Sequence, residues 1–521
     1  MAGKARDPVS FLLDNRARRW DLARGRRGFC RVNRDRNVDL LGQDCLLVSG
    51  DGRSARARSI AETTRLFAAA GVASGSIVLY QGRQAPALVA IFWATVALGA
   101  IFVPIDVGWP DYLLARAAGN LRPAVVIADE QLLPALAKLY PAATAIALAD
   151  VAAGDSGATP AAMTLPVEIA GSAPAACLFT SGSTGVPKAV VVSRDGLAHS
   201  ARTTLGSFAW RAGDRLVNLP EPHAMSGLRN ALVAAPLGGV EWLAVPETAL
   251  DNVFARTAWL AEVRCNHLVA GPAFLRQLML MGARLPAGAL GDLRAIYSTG
   301  AALNQAVASW LRDTHGVAVI NYYGLTETGG LCLSQSLADA KAGDTSLGRP
   351  VGCEARLVDE DGVCSDHGEL QIKSAQLMMG YLDDPELTSA KFDGDWLRTG
   401  DIMRRDDDGR FHLVGRNGLA IKSASTDRIH PEELENLLEQ HDAVIDAAAL
   451  GFRSEAGIDQ IALLVVRRST GLEDNALKLA LAQFIQRHLG CDRTPNLIAF
   501  VDQLPRTGGK IARTALREMI S

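Results

Sequence analysis

Apolar positions along this chain fall into two rhythms. In the first half, short continuous runs rich in Val, Ile and Ala alternate with stretches where apolar residues recur every three or four positions. Residues 77–81 (IVLYQ), 125–128 (VVIA, stopping at Asp129) and 145–149 (AIALA) read as strands buried on both faces. Ser59 and Glu62 form a capping box, and Ile60, Thr64 and Phe67 share one helical face before Gly71 ends the helix. This alternation of strand and helix predicts parallel sheets covered by helices. No internal repeat of solenoid period interrupts it.

One apolar run needs separate treatment. Residues 85–105 (APALVAIFWATVALGAIFVPI) carry no charge and are long enough to span a bilayer. Gly99 and Pro104 break the run, however, and residues 101–105 end at Asp106 like a core strand. A buried helix followed by a buried strand is therefore expected, with no membrane span.

The rhythm changes after Ser346. Short strands between turns such as Asp361-Gly362, Asp383-Asp384-Pro385 and Asp408-Gly409 predict a β-rich lobe over about 346–415. It changes again after Gly415, where residues 431–440 read as an amphipathic helix, 461–466 as a strand and 477–488 as a second helix. The expected fold is α/β. A basic extension and the start of the large domain occupy 1–50, a multi-lobed N-terminal domain fills 51–415, and a small mobile α+β domain fills 416–521.

Composition narrows the function classes. A chain of 521 residues is too long for one core. Net charge is −3 with 21% charged residues, which gives no broad electrostatic grip on nucleic acid. The first 40 residues hold 11 Lys and Arg against 5 Asp and Glu, a bias typical of a solvated extension. No apolar run follows these charges, so no secretory leader is expected. The eight cysteines form no C-x-x-C pair, which argues for reduced thiols in a cytoplasmic protein over a disulfide framework or a zinc site.

The strongest local signal is the run from Cys177 to Lys188 (CLFTSGSTGVPK), an apolar strand entering a loop of Thr180, Ser181, Gly182, Ser183 and Thr184 that ends on one lysine. Glycines let backbone N–H groups turn toward an anion, hydroxyls add donors and Lys188 adds a point charge, a set suited to a polyphosphate. Pro187 before Lys188, with no Ser or Thr after it, excludes a Walker A loop. Further along, Asn321, Tyr322, Tyr323, Gly324, Thr326 and Glu327 (NYYGLTE) gather an aromatic, a hydroxyl and a carboxylate. There Tyr323 offers a face for a purine, Thr326 a phosphate contact and Glu327 an oxygen ligand for Mg²⁺. Asp401 offers a carboxylate to a ribose diol. Lys510 sits on a Gly-Gly-Lys turn near the C-terminus.

Together, in this order, the four segments resemble the core motifs of the adenylate-forming superfamily, which includes acyl-CoA synthetases, nonribosomal peptide adenylation domains and luciferases. The resemblance spans roughly residues 55–521. It implies ATP and Mg²⁺, a carboxylic acid substrate, and two half-reactions: formation of acyl-AMP with release of pyrophosphate, then acyl transfer to a phosphopantetheine thiol on CoA or a carrier protein. By motif, Thr180, Ser181, Ser183, Thr184 and Lys188 would wrap the β- and γ-phosphates. Gly300, Ala301 and Ala302, after Thr299, would line the adenine and acyl sites. Asn321 would meet the adenine amine, Asp401 with Arg416 the ribose, and Lys510 would bridge the carboxylate and the α-phosphate.

The chain departs from this pattern in two places. At the hinge, Gly418 replaces an acid, Ser425 replaces the glycine that lines the pantetheine tunnel, and one extra residue precedes Arg428. A slow or selective thiol step is expected, and an amine acceptor, as in an amide synthetase, is the alternative. A degenerate nucleotide-binding member is the third reading, opposed by the retained Lys188, Glu327, Asp401 and Lys510. In the acid pocket, counting back from Gly239 puts Ser226 where carrier-charging domains for α-amino acids place an aspartate. A serine cannot neutralise a buried ammonium, so an acid lacking an α-amino group is expected. His223, Ser226, Asn230 and Thr299 are the candidate pocket residues.

Overall fold

The structure is a computed structural model that describes residues 50–152, 171–180, 187–338, 340, 346–417, 421–422, 428–453, 459–468, 473–489, 493–507 and 510–520. Ser181, Gly182, Ser183, Thr184, Gly418, Ser425 and Thr426 lie outside the described residues.

Two α/β sheets form the large part of the molecule. The first contains β1 (Ile77–Gln81), β2 (Ile101–Ile105), β3 (Pro123–Ala128), β4 (Thr144–Ala147), β5 (Pro174–Thr180) and β6 (Lys188–Ser193). Its order is β6-β5-β2-β1-β3-β4, with Gly380–Tyr381 added beside β6. Strands β5 through β4 run parallel, whereas β6 pairs antiparallel to β5. The uncharged 85–105 run resolves into the helix Leu88–Ala97, buried nearly all round, and β2, buried throughout. No helix among the described residues is long and apolar enough to cross a membrane.

The second sheet contains β7 (Arg215–Asn218), β8 (Glu241–Leu243), β9 (His267–Ala270), β10 (Ala295–Ser298), β11 (Ala318–Tyr323), β12 (Leu333–Ser334) and β13 (Arg349–Pro350). Strands β8, β7, β9, β10 and β11 are parallel. Their carboxyl ends bring Asn218, Ser298 and Asn321 within one residue of one another in register. Ligands of open α/β sheets bind at such an edge. An antiparallel sheet follows, with strands between Glu354 and Arg416, and the long strand Trp396–Arg405 sets Asp401 opposite Arg416.

Beyond it, the helices Pro431–Leu438 and Asp474–Leu489 pack on the strands Val444–Arg453, Asp459–Arg467 and Leu497–Phe500 around an apolar core of their own, including Leu434, Leu463, Leu477 and Ile485. This unit is clamped to the second sheet's layer. Arg276 lies 2.8 Å from Glu439 and 3.3 Å from Asp446, and Asn304 donates to the Glu439 backbone carbonyl at 3.2 Å.

Two sequence expectations need correction. The first described helix is Gly50–Ala69, so Ser59 lies inside it and not at its start. The segment before Ser59 alternates Ala with Arg, good helix formers that carry the helix further back. The strand expected at 145–149 ends at Ala147, and Leu148–Ala152 is helical with Asp150 in its first turn. Short apolar runs do not discriminate strand from helix, and an early acid favours the helix.

Candidate active site

Antiparallel pairing of β5 and β6 sets Thr180 opposite Lys188, so the glycine-rich loop leaves and re-enters the sheet at one point. The Lys188 ammonium sits 5.7 Å from the centre of the Tyr381 ring. The Tyr381 hydroxyl in turn donates to Glu327 Oε1 at 2.9 Å. Burial and then the Glu327 carboxylate push the Tyr381 phenol up. One aromatic side chain thus joins the phosphate-loop lysine to the expected metal carboxylate. Tyr381 is absent from the sequence-derived set because nothing local marks it. It reaches the site through the pairing of Gly380–Tyr381 with β6.

Residues 324–332 fold back between β11 and β12 as a tight loop. Its N–H groups from Gly330 and Thr328 both donate to Leu325 O, at 2.8 and 3.2 Å. The Thr328 hydroxyl accepts from Leu325 N at 2.8 Å. Thr326 and Glu327 remain half-buried at its tip. A carboxylate at this place fits Mg²⁺, which is commonly held by one or two carboxylates plus substrate phosphates; Glu327, joined to Lys188 through Tyr381, would supply it.

On the other side of the loop, Tyr323 donates from its hydroxyl to Asp401 Oδ2 at 2.5 Å, and Arg416 Nε lies 2.9 Å from Asp401 Oδ1. Both carboxylate oxygens are therefore engaged, and Asp401 is buried. The Asp401 charge holds the Arg416 guanidinium above its ordinary pKa, against burial. Burial pushes the Tyr323 phenol well up, and Asp401 adds to this. Asn321 is buried, donating from its side-chain amide to Ser346 O at 3.1 Å and from its backbone N–H to Gln335 Oε1 at 3.0 Å. Gly300, Ala301 and Ala302 are exposed, and Thr299 is half-buried, at the end of β10.

Asp401→Asn is expected to weaken ATP binding about tenfold or more, the worth of a hydrogen bond to a charged group. Calorimetric titration with ATP checks it, with melting temperature as the control for the buried triad. Unchanged ATP affinity removes Asp401 from the nucleotide site.

The acid-pocket segment is not one α-helix. Met225–Gly227 is a single turn, Leu228–Ala234 is a π-helix, and Ala235–Gly238 completes it. A π-turn, a feature common at functional sites, changes which side chains of the segment share a face. Ser226 is half-buried. The side chains of this segment that face the Tyr322 hydroxyl are Arg229 and Asn230, joined there by Thr299. Asn230 donates to Asn218 Oδ1 at 3.0 Å and accepts from Arg229 Nε at 2.9 Å. His223 lies 3.7 Å from Asp106, and burial holds its pKa low against the Asp106 charge. Arg229 was missed from sequence, although a lone cation in the apolar run GLRNALVAAPL is itself a signal. A hollow of about 520 Å³ beside Leu285, Trp310 and His315 borders none of these residues.

Lys510 lies on the hairpin formed by Arg506–Thr507 and Lys510–Ile511. Arg506 grips Asp446 at 2.7 and 2.9 Å, and Asp446 also meets Arg276, so the hairpin is tied to the helix Pro272–Met281.

Residues 54–382 match the family model described as AMP-binding enzyme, and residues 433–510 match the AMP-binding enzyme C-terminal domain. The chain is 30% identical over 493 residues to the sulfoacetate–CoA ligase of Cupriavidus necator, covering 87% of this chain and 89% of that one. It is 29% identical over 473 residues to the anthranilate–CoA ligase of Pseudomonas aeruginosa, covering 85% and 87%. The fold matches that of the amide bond synthetase McbA of Marinactinospora thermotolerans with a TM-score of 0.80 at 23% identity, covering 92% and 98%.

Proposed function

The chain belongs to the AMP-binding enzymes and is an AMP-forming ligase, and from that premise we propose which residues do the work and on what. It activates a carboxylic acid lacking an α-amino group with ATP, forms acyl-AMP, releases pyrophosphate, and passes the acyl group to a phosphopantetheine thiol. The observation that carries the assignment of residues is the convergence of distant segments on one loop. Lys188, Tyr381 and Glu327 meet on one side, and Tyr323, Asp401 and Arg416 on the other.

In this reading Thr180, Lys188 and the loop between them hold the β- and γ-phosphates, and Thr326 adds a hydroxyl. Asp401 and Arg416 hold the ribose, with Tyr323 and the segment Gly300–Ala302 around the base. Glu327 holds Mg²⁺, which when bound offsets the charge of the phosphates. Residues 416–521 act as a mobile lobe that delivers Lys510. A carboxylate attacking an α-phosphate brings two anions together, so charge neutralisation and positioning supply the catalysis. Reduced thiols such as the free Cys177, Cys265 and Cys332, all buried, fit a cytoplasmic setting.

The test is ATP–pyrophosphate exchange across a panel of carboxylic acids, followed by AMP release with CoA, a phosphopantetheinylated carrier protein or a free amine. Exchange is expected with an acid lacking an α-amino group, and a thiol is expected to drive AMP release. A standard α-amino acid as best substrate overturns the pocket assignment. AMP release driven by the amine and not by either thiol replaces the thiol reading with amide synthesis, which the substitutions at Gly418 and Ser425 favour.

A further inference from the structure

Arg229, on the π-turn of the candidate acid-pocket segment, is fully buried, at 0% exposure. Its Nε donates to Asn230 Oδ1 at 2.9 Å, but neither Nη1 nor Nη2 has a hydrogen-bond partner among the described residues. No Asp or Glu among those residues forms an ion pair with it. The Tyr322 ring lies 5.8 Å away, a weak contact beside what a desolvated guanidinium needs. Arginine stays protonated, so the charge cannot be relieved by losing a proton. Burial lowers its pKa from the ordinary value, and the neighbouring Tyr322 works against that shift.

The surroundings are shaped for this side chain. A Cβ on Gly330 would stand 2.2 Å from Arg229 Nη1 and 3.0 Å from Met225 Cγ, and Gly330 has φ +98°, so only glycine leaves the guanidinium its place. The hydroxyl of Tyr322, at the end of β11, is buried facing Arg229, Asn230 and Thr299 without a close hydrogen bond among the described residues. Two donor nitrogens and one hydroxyl thus face one another near Thr299, which leads to the exposed Gly300 at the sheet edge. Buried polar groups left unpaired in a protein need an explanation, and a bound ligand supplies one here.

We propose that the acid activated by this enzyme carries a second anionic group, a carboxylate or a sulfonate, and that Arg229 is its countercharge in the pocket. This rests on the acid-activating function proposed above. The reacting carboxylate meets ATP near Lys510, while the second anion takes the forked Nη1 and Nη2 donors, with the Tyr322 hydroxyl beside them. A planar fork matches two oxygens of either group. Neutral acids leave the guanidinium buried and unpaired, and an α-amino group adds a second cation beside it.

The test is exchange by the wild-type protein with malonate, succinate and sulfoacetate against propionate, butyrate and benzoate. At least one dianionic acid is expected to exceed every neutral acid in kcat/KM by about 100-fold or more, the scale on which a site built for a polar group rejects analogues lacking it. The dicarboxylates and the sulfonate separate the two sources of the anion. In Arg229→Met, KM for that acid should rise about 100-fold while neutral acids keep or gain activity. The melting temperature of unliganded Arg229→Met should equal or exceed that of wild type, because an unpaired buried charge is gone; an arginine that serves structure alone predicts a fall. Arg229→Lys should rescue part of the preference. A neutral acid as best wild-type substrate overturns this inference and leaves acid activation standing, and this comparison requires no variant. Unchanged dianion kinetics in Arg229→Met also overturns it. Exchange with none of the acids overturns the acid-activating reading and this inference with it.

Discussion

Lys510→Ala is expected to lower ATP–pyrophosphate exchange by about 100-fold or more while leaving ATP affinity close to wild type. The reaction joins a carboxylate to an α-phosphate, and the repulsion between them is strongest as they meet. A lysine placed between them acts on that moment more than on ground-state binding, so its loss falls on the rate. The hairpin has an anchor apart from this residue. Arg506 ties it to Asp446, and Arg276 ties Asp446 to the large domain. The alanine variant should therefore fold and dock as before. Calorimetry with ATP and an exchange assay at saturating acid separate the two quantities. Near-wild-type exchange would falsify the lysine's role, and a parallel loss of ATP affinity would place it in ground-state binding instead.

How much of this was legible in the sequence depends on what each part demands of its residues. The parallel strands were readable because strands buried on both faces require unbroken apolar runs, as in β1 and β2. The pieces that close the sheets were not. Leu333–Ser334, Arg349–Pro350 and Gly380–Tyr381 are two residues each and carry no periodicity. The same contrast holds in the site. Phosphate chemistry restricts its loop to glycines, hydroxyls and a lysine, so that segment announces itself. Tyr381 is 54 residues from Glu327 and touches it only because a two-residue strand pairs with β6. Arg229 is not marked by spacing: counting back from Gly239 points to Ser226, and which side chains of this segment face Tyr322 depends on the π-turn at Leu228–Ala234.

Gly324→Ala is expected to lower exchange by about 100-fold, to weaken ATP binding and to lower the melting temperature. A Cβ at this position would stand 1.1 Å from Gly330 O and 2.2 Å from Gly330 C. Those are backbone atoms, so no rotamer change makes room. The obstruction also lies inside a closed loop, where Gly330 N–H donates to Leu325 O at 2.8 Å and Cys332 N–H donates to Tyr323 O at 2.9 Å. Moving either side breaks these bonds or shifts both ends together. Tyr323 precedes the obstruction and Glu327 follows it, so the shift reaches Asp401 through one and Tyr381 through the other. Displacing reacting groups by about 1 Å is enough for a loss of this size. Gly206→Ala is the matched control: it lies in the helix Arg194–Phe208 with nothing within 4 Å of the added Cβ. There alanine should stabilise by about 1 kcal/mol through helix propensity and leave exchange unchanged. Exchange, ATP titration and thermal melting on the two variants side by side check the contrast. A Gly324→Ala protein that melts and turns over like wild type would mean the loop does not fold back on Gly330, and the convergence of Lys188, Glu327, Tyr323 and Asp401 would lose its support.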